Sequence, residues 1–210
     1  KADEKIKQPH ASAFLNMQVE HGTSGLVWNI DNWIYTTRDR VRYRWKDNNL
    51  TEDSLPTFLL GQWGLAKDDY GRLFYSIAGG EIPALSFQQN PKYGRLELKG
   101  QLADSFSAVW PVTGTPDVQG GMMRLRSDST LNHFTASCGQ SIFVGNGLPH
   151  NLYGNLFICE PVGRLIRRAK VTNEEGTIVL KNAYRNAEFL ASTDMNFRDR
   201  KRTRLNYSHT

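Results

Sequence analysis

The sequence predicts an all-β protein, on three observations. Apolar and aromatic residues alternate in runs of strand length, turn-forming residues punctuate those runs, and no window sustains a 3.6-residue period over three turns. Leu26-Val27-Trp28 and Trp33-Ile34-Tyr35 flank the Asp31-Asn32 turn pair. Tyr70-Gly71 opens onto Arg72-Leu73-Phe74-Tyr75, and Gly79-Gly80 precedes Arg95-Leu96-Glu97-Leu98. Ser141-Ile142-Phe143-Val144 runs into Gly145-Asn146-Gly147, and two further strands are read at Leu156-Phe157-Ile158-Cys159 and Thr177-Ile178-Val179-Leu180. Short helices are expected only in the first dozen residues and near Ala183–Ala187.

An internal repeat narrows the class. Gly25-Leu26 leads to Asp31-Asn32-Trp33-Ile34-Tyr35, and Gly64-Leu65 leads to Asp69-Tyr70-Gly71-Arg72-Leu73-Phe74-Tyr75. Gly154-Asn155-Leu156-Phe157-Ile158 is read as a later member. The strand ends Tyr35, Tyr75 and Ile158 are separated by 40 and then 83 residues, the second interval being about twice the first. A period of about 40–45 residues with four short strands per unit is the mark of a β-propeller blade. The expectation is an incomplete propeller of about four blades, each a four-stranded antiparallel sheet. The alternative is a β-sandwich whose spacing is accidental.

Composition excludes several classes. The 210 residues are 39% hydrophobic and 11% aromatic with 22% charged, which fits neither a disordered chain nor a coiled coil. No stretch approaches the roughly 18 apolar residues of a membrane-spanning helix. Cys138 and Cys159 stand 21 apart, with no C-x-x-C or C-x-x-C-H, which excludes a zinc ribbon, a thioredoxin-like site and covalent haem attachment within these residues. Two buried strand cysteines and a disulfide both remain open. The net charge of +5 would suit nucleic acid, but residues 199–210 supply +3 of it, and the rest carries 22 basic against 20 acidic groups. No nucleic-acid partner is expected.

The ordered motifs carry a resemblance. They are Glu20-His21 with Gly25 to Tyr35, Gly61-Gln62-Trp63-Gly64, Asp68-Asp69-Tyr70-Gly71-Arg72-Leu73-Phe74, Val109-Trp110-Pro111, and Thr115-Pro116-Asp117-Val118-Gln119-Gly120-Gly121. Phe134 to Gly139, Cys159 to Arg168 and Ser192 to Arg198 complete the series. It resembles the membrane-bound dehydrogenase propellers that precede haem-binding cytochrome c modules in large bacterial envelope proteins, distant relatives of the quinoprotein sugar dehydrogenases. The resemblance covers residues 14–198, after a lead-in at 1–13. It implies oxidation of a sugar or alcohol, pyrroloquinoline quinone as cofactor, transfer of electrons to a c-type haem module outside this chain, and a periplasmic or cell-envelope location. Residues 199–210 depart from it and resemble a translated sequencing adapter, so they are expected to be a non-native basic tail.

The resemblance also nominates residues. His21, just before a glycine-containing strand–turn–strand unit, is implied as the general base, a role suited to a side chain that is neutral and basic near neutral pH. The alternative is a loop histidine bonded to a backbone carbonyl. Arg42, Arg44 and Arg164, with Arg38, are the cations that would grip an anionic quinone or sugar acid. Arg42 and Arg44 should share a strand face with Tyr43 on the other, and a solvated face is their alternative. Glu160 is the expected partner of Arg164, structural or catalytic. Asp68-Asp69 is read either as a calcium ligand pair, without supporting spacing, or as turn-forming acids. Trp28, Trp33, Trp63 and Trp110 are read as plugs between blades. A non-catalytic propeller binding polysaccharide or an envelope protein is the competing function.

Overall fold

A computed structural model describes residues 22–59, 61–77, 82–88, 95–96, 98–110, 122–194 and 197. They form an all-β protein of three antiparallel sheets with one short helix, α1 (Asp104–Ser107). Sheet 1 contains β1 (Ser24–Trp28), β2 (Ile34–Thr37), β3 (Asp39–Lys46) and β4 (Asn49–Leu59). Sheet 2 contains β5 (Ala66–Lys67), β6 (Leu73–Ile77), β7 (Ile82–Phe87) and β8 (Arg95–Leu96). Sheet 3 contains β9 (Cys138–Ile142), β10 (Leu156–Glu160), β11 (Leu165–Glu174) and β12 (Thr177–Asn182), with β13 (Leu190–Ala191) pairing the start of β11. Each sheet is a meander, with its four main strands neighbouring one another in chain order.

The sheets stack face to face, and the middle one is apolar on both sides. On β6, Leu73 and Tyr75 join Tyr35 and Leu55 of sheet 1 in one core. Phe74 points the other way, into a second core with Ile142, Leu156, Ile158, Leu165 and Leu180 of sheet 3. Alternation along a strand therefore serves two cores at once, and a strand buried on both faces reads as a continuous apolar run.

The repeat read from sequence is real at Tyr35, Tyr75 and Ile158, which lie on β2, β6 and β10, the second strand of each sheet. Its doubled interval does not hold a fourth sheet among the described residues. The described residues between β8 and β9 instead make α1, a 3-10 turn at Met122–Arg124 and loops. Lys99 pairs in parallel with Val179, so the chain leaving sheet 2 covers the outer edge of sheet 3. The third member of the glycine series is Gly139, not Gly154. Gly25, Gly64 and Gly139 all have positive φ, at 66°, 141° and 58°. A methyl on Gly25 would lie 2.8 Å from the Leu65 nitrogen, and one on Gly64 would lie 3.3 Å from the Gly139 Cα. The chain entering the first strand of each sheet thus packs backbone against backbone on the next, which only glycine permits.

Other expectations fail locally. Ala183–Ala187 makes bends rather than a helix, because Ala183 N–H continues the ladder to Arg168 and Asn182 caps Tyr184. The first dozen residues lie outside the described residues. Trp28 is 65% exposed and plugs no interface.

Candidate functional site

The two ends of the stack differ. At one end lie the turns between first and second strands. Asn29 donates to the Gly71 carbonyl at 2.8 Å, and Tyr153 donates to Asp69, so the three turns touch in series. At the other end, where each first strand begins, a run of buried polar groups crosses all three sheets. The Ser24 and Thr37 hydroxyls meet at 2.9 Å, and Thr37 borders Gly61. Gln62 N–H bonds to the Ser76 carbonyl, the Ser76 hydroxyl donates to the Ser137 carbonyl at 2.7 Å, and Gln140 donates to Ser76. The backbone N–H groups of Thr135 and Ala136 then reach Glu160 at 2.8 and 2.9 Å. Buried polar atoms of this kind are retained where they are mutually satisfied.

Glu160 belongs to this end, but as an anchor. Its carboxylate is fully buried and accepts from three backbone N–H groups and the Thr135 hydroxyl. Burial raises its pKa above the ordinary glutamate value, against the pull of those donors. Arg164 closes the same turn with φ 55° and is 4% exposed, and its carbonyl accepts the Ser192 N–H. Gly163 sits between them, its absent methyl 3.1 Å from the Glu160 Cγ.

Arg42 and Arg44 stand at the opposite end. They share a face of β3, and Tyr43 points away to bond Asp39 at 2.8 Å. Their guanidinium carbons lie 4.3 and 4.1 Å from the Trp33 ring centre. Arg42 donates to Asp53 at 2.6 and 2.8 Å and to Tyr35 and Asp31, while Arg44 donates to the backbone of Asp31 and Asn32. They are the clasp of the β1–β2 turn. Arg38, at the β2–β3 turn, does lie at the polar end with φ 56°. His21 lies outside the described residues, as does the 199–210 tail.

Asp68 is a turn-forming acid. It accepts from the N–H groups of Tyr70 and Arg72 and pairs with the Arg72 guanidinium at 2.6 Å. Among the described residues no group of three or more His, Cys, Asp or Glu is placed to hold a metal.

Sequence reasoning missed the charged centre of the protein. Arg167 on β11 and Glu188 form a bidentate pair with both side chains 0% exposed. Arg167 also donates to the Phe106 and Ala108 carbonyls and stacks on Phe106 and Phe134, and Glu188 accepts the Trp110 N–H at 2.9 Å. Burial raises the Glu188 pKa despite the arginine beside it. Next to it, Arg168 points to the other face and donates to Asn155, Asn151 and Tyr184. The available signal was Arg167-Arg168 set between the apolar residues Leu165-Ile166 and Ala169 of β11, where a charge demands a partner.

The nominated residues do not fit the implied quinone. Pyrroloquinoline quinone is a polyanion and needs accessible cations. Arg42 and Arg44 are engaged by Asp53, Tyr35 and the β1–β2 turn, Glu160 is an enclosed anion, and Arg164 presents one mostly buried guanidinium.

No curated protein matches this chain. Among solved structures, selenomethionine-substituted virginiamycin B lyase from Staphylococcus aureus is similar at 13% identity and a TM-score of 0.34. The similarity covers 82% of this chain and 45% of that one, so this chain spans under half the length of that structure. The family model described as a domain of unknown function, DUF7133, matches residues 1–203, and the chain belongs to that family.

Proposed function

We propose that the chain is three blades of a β-propeller of the dehydrogenase type, acting on a sugar or alcohol at the end where the first strands begin. The supporting observation is the Gly25–Gly64–Gly139 series, which packs β1 on β5 and β5 on β9, as innermost strands of successive blades would pack. Gly22 and Thr23 lead into β1 at that end, and His21 precedes them in sequence. His21 takes the proton of the substrate hydroxyl. The hydride acceptor is held by groups other than Arg42, Arg44 and Glu160, and the electron partner is a c-type haem module of the full-length envelope protein. The test is dye-linked oxidation by the full-length protein with a panel of sugars and alcohols, with and without pyrroloquinoline quinone. H21A should abolish turnover without unfolding the protein, and unchanged turnover would overturn the role of His21.

A second reading is binding without chemistry, to a polysaccharide or an envelope protein. It is favoured by the commitment of Arg42, Arg44, Glu160 and Arg167 to internal contacts. Saturable polysaccharide binding, unaltered by H21A and unaccompanied by turnover of any panel member, would establish it.

A further inference from the structure

We propose that Cys138 and Cys159 are a redox pair that closes an intramolecular disulfide across β9 and β10. In this structure the two are not disulfide-bonded. They are directly opposite in the antiparallel register, one residue before the Gly139 bulge. Opposed residues of an antiparallel pair have Cα atoms roughly 4.5–5.5 Å apart. A disulfide needs about 4.4–6.8 Å.

The same device occurs in sheet 1 and shows where such side chains point. Ser24 is opposite Thr37, one residue before Gly25, and the register then shifts by the same step that it takes after Cys138. There the two hydroxyl oxygens meet at 2.9 Å. Side chains at this position converge on one face, and cysteines in the place of Ser24 and Thr37 bring two sulfurs together. The Cys159 sulfur already leans across the ladder, 3.7 Å from where a methyl on Gly139 would stand. A larger residue at 139 would crowd it.

Exposure sets the order of events. Cys138 is buried and Cys159 is partly exposed. The oxidant is a small disulfide, RSSR. The Cys159 thiolate attacks one of its sulfurs, forming a mixed disulfide and expelling RS⁻. The Cys138 thiolate then attacks the Cys159 sulfur, forming the cross-strand bond and expelling the second RS⁻. The two protein thiols give up two protons and two electrons, and the oxidant is reduced to two thiols. The bond ties the first strand of sheet 3 to the second beside Glu160, the residue that follows Cys159.

The test uses the folded chain and oxidised glutathione, followed by alkylation under denaturing conditions and chymotryptic mass mapping, since cleavage after Phe143 and Tyr153 separates the cysteines. The expected product is monomeric, has lost both alkylatable thiols, and yields two peptides joined until reduction. C138S should stop with glutathione held on Cys159, and C159S should leave Cys138 unmodified in the folded state. Two separately glutathionylated cysteines, disulfide-linked dimers, or two thiols still alkylatable after prolonged oxidation would each overturn the proposal.

Discussion

Arg42 and Arg167 are both strand arginines that grip a carboxylate with two nitrogens, and they do opposite work. Arg42 sits at the rim of sheet 1, where its partner Asp53 is 43% exposed and water shares the interaction. Arg167 and Glu188 are wholly enclosed, and every remaining contact comes from protein. Those contacts are the carbonyls of Phe106 and Ala108 and the N–H of Trp110, in α1 and the residues that follow it. The rim arginine trims a turn, whereas the buried pair fastens the long connection between sheets 2 and 3 into the core. An enclosed charge is tolerated only when it is paired and hydrogen-bonded, so its neighbours are fixed along with it.

The largest effect should come from breaking that pair on one side. R167M leaves Glu188 buried and uncompensated, and chemical denaturation should show a loss of about 3–5 kcal/mol. The double variant R167M/E188L should recover part of the loss, because no orphan charge remains. A loss no greater than that of R42A would collapse the distinction between the two sites.

Glu160 stands between these extremes, a buried carboxylate satisfied by backbone rather than by a cation. E160Q keeps its shape but replaces an oxygen that accepts two donors with an amide nitrogen that can accept none. Stranding those donors should cost about 1–3 kcal/mol each. The pH dependence sharpens the point. Because the folded-state pKa lies above the unfolded value, the fold favours protonated Glu160. Its stabilisation is therefore fully present below the ordinary glutamate pKa and is lost as pH rises through the raised one. The stability of wild type relative to E160Q should shrink across that interval, leaving the parallel trend of Glu188 in both proteins. A difference independent of pH would show that Glu160 is not raised.

The contrast also explains what sequence could reveal. Period-2 alternation and turn residues located β1, β2, β6, β10 and β12, because those strands carry a local signal in Leu26–Trp28, Leu73–Tyr75 and Thr177–Leu180. Arg42 and Arg44 were legible as a shared strand face with Tyr43 opposite. Their role was not, since Asp53 comes from β4 and Trp33 from the β1–β2 turn. The Arg167–Glu188 pair spans 21 residues, and its carbonyl acceptors lie some 60 residues upstream. No local pattern encodes contacts of that separation. Ser76, Ser137 and Gln140 were hidden for the same reason: each is an ordinary polar residue until stacking of sheets 2 and 3 makes it a buried one. Glu160 was read from sequence as the partner of Arg164, yet the donors that define it include the backbone of Thr135 and Ala136, which no local pattern encodes.

The smallest effect tests the rim. R44A removes a guanidinium that stacks on Trp33 and donates only to the carbonyls of Asp31 and Asn32. R42A removes the pair with Asp53 as well. Exposed ion pairs contribute roughly 0.2–1 kcal/mol, and a cation over an exposed ring contributes a similar amount. Denaturation should therefore place both losses at about 1 kcal/mol or less, with R42A the larger. Raising salt should erode the R42A difference, because water and ions reach Asp53, and should leave that of R167M nearly unchanged, because they do not reach Glu188. The two guanidiniums also cover one ring, so Trp33 becomes more solvated in each variant. A red shift of its emission should accompany even a negligible stability change. If R44A cost as much as R42A, the stacking on Trp33 rather than the pairing with Asp53 would be what holds the β1–β2 turn, and the rim would be an aromatic clasp with a salt bridge attached.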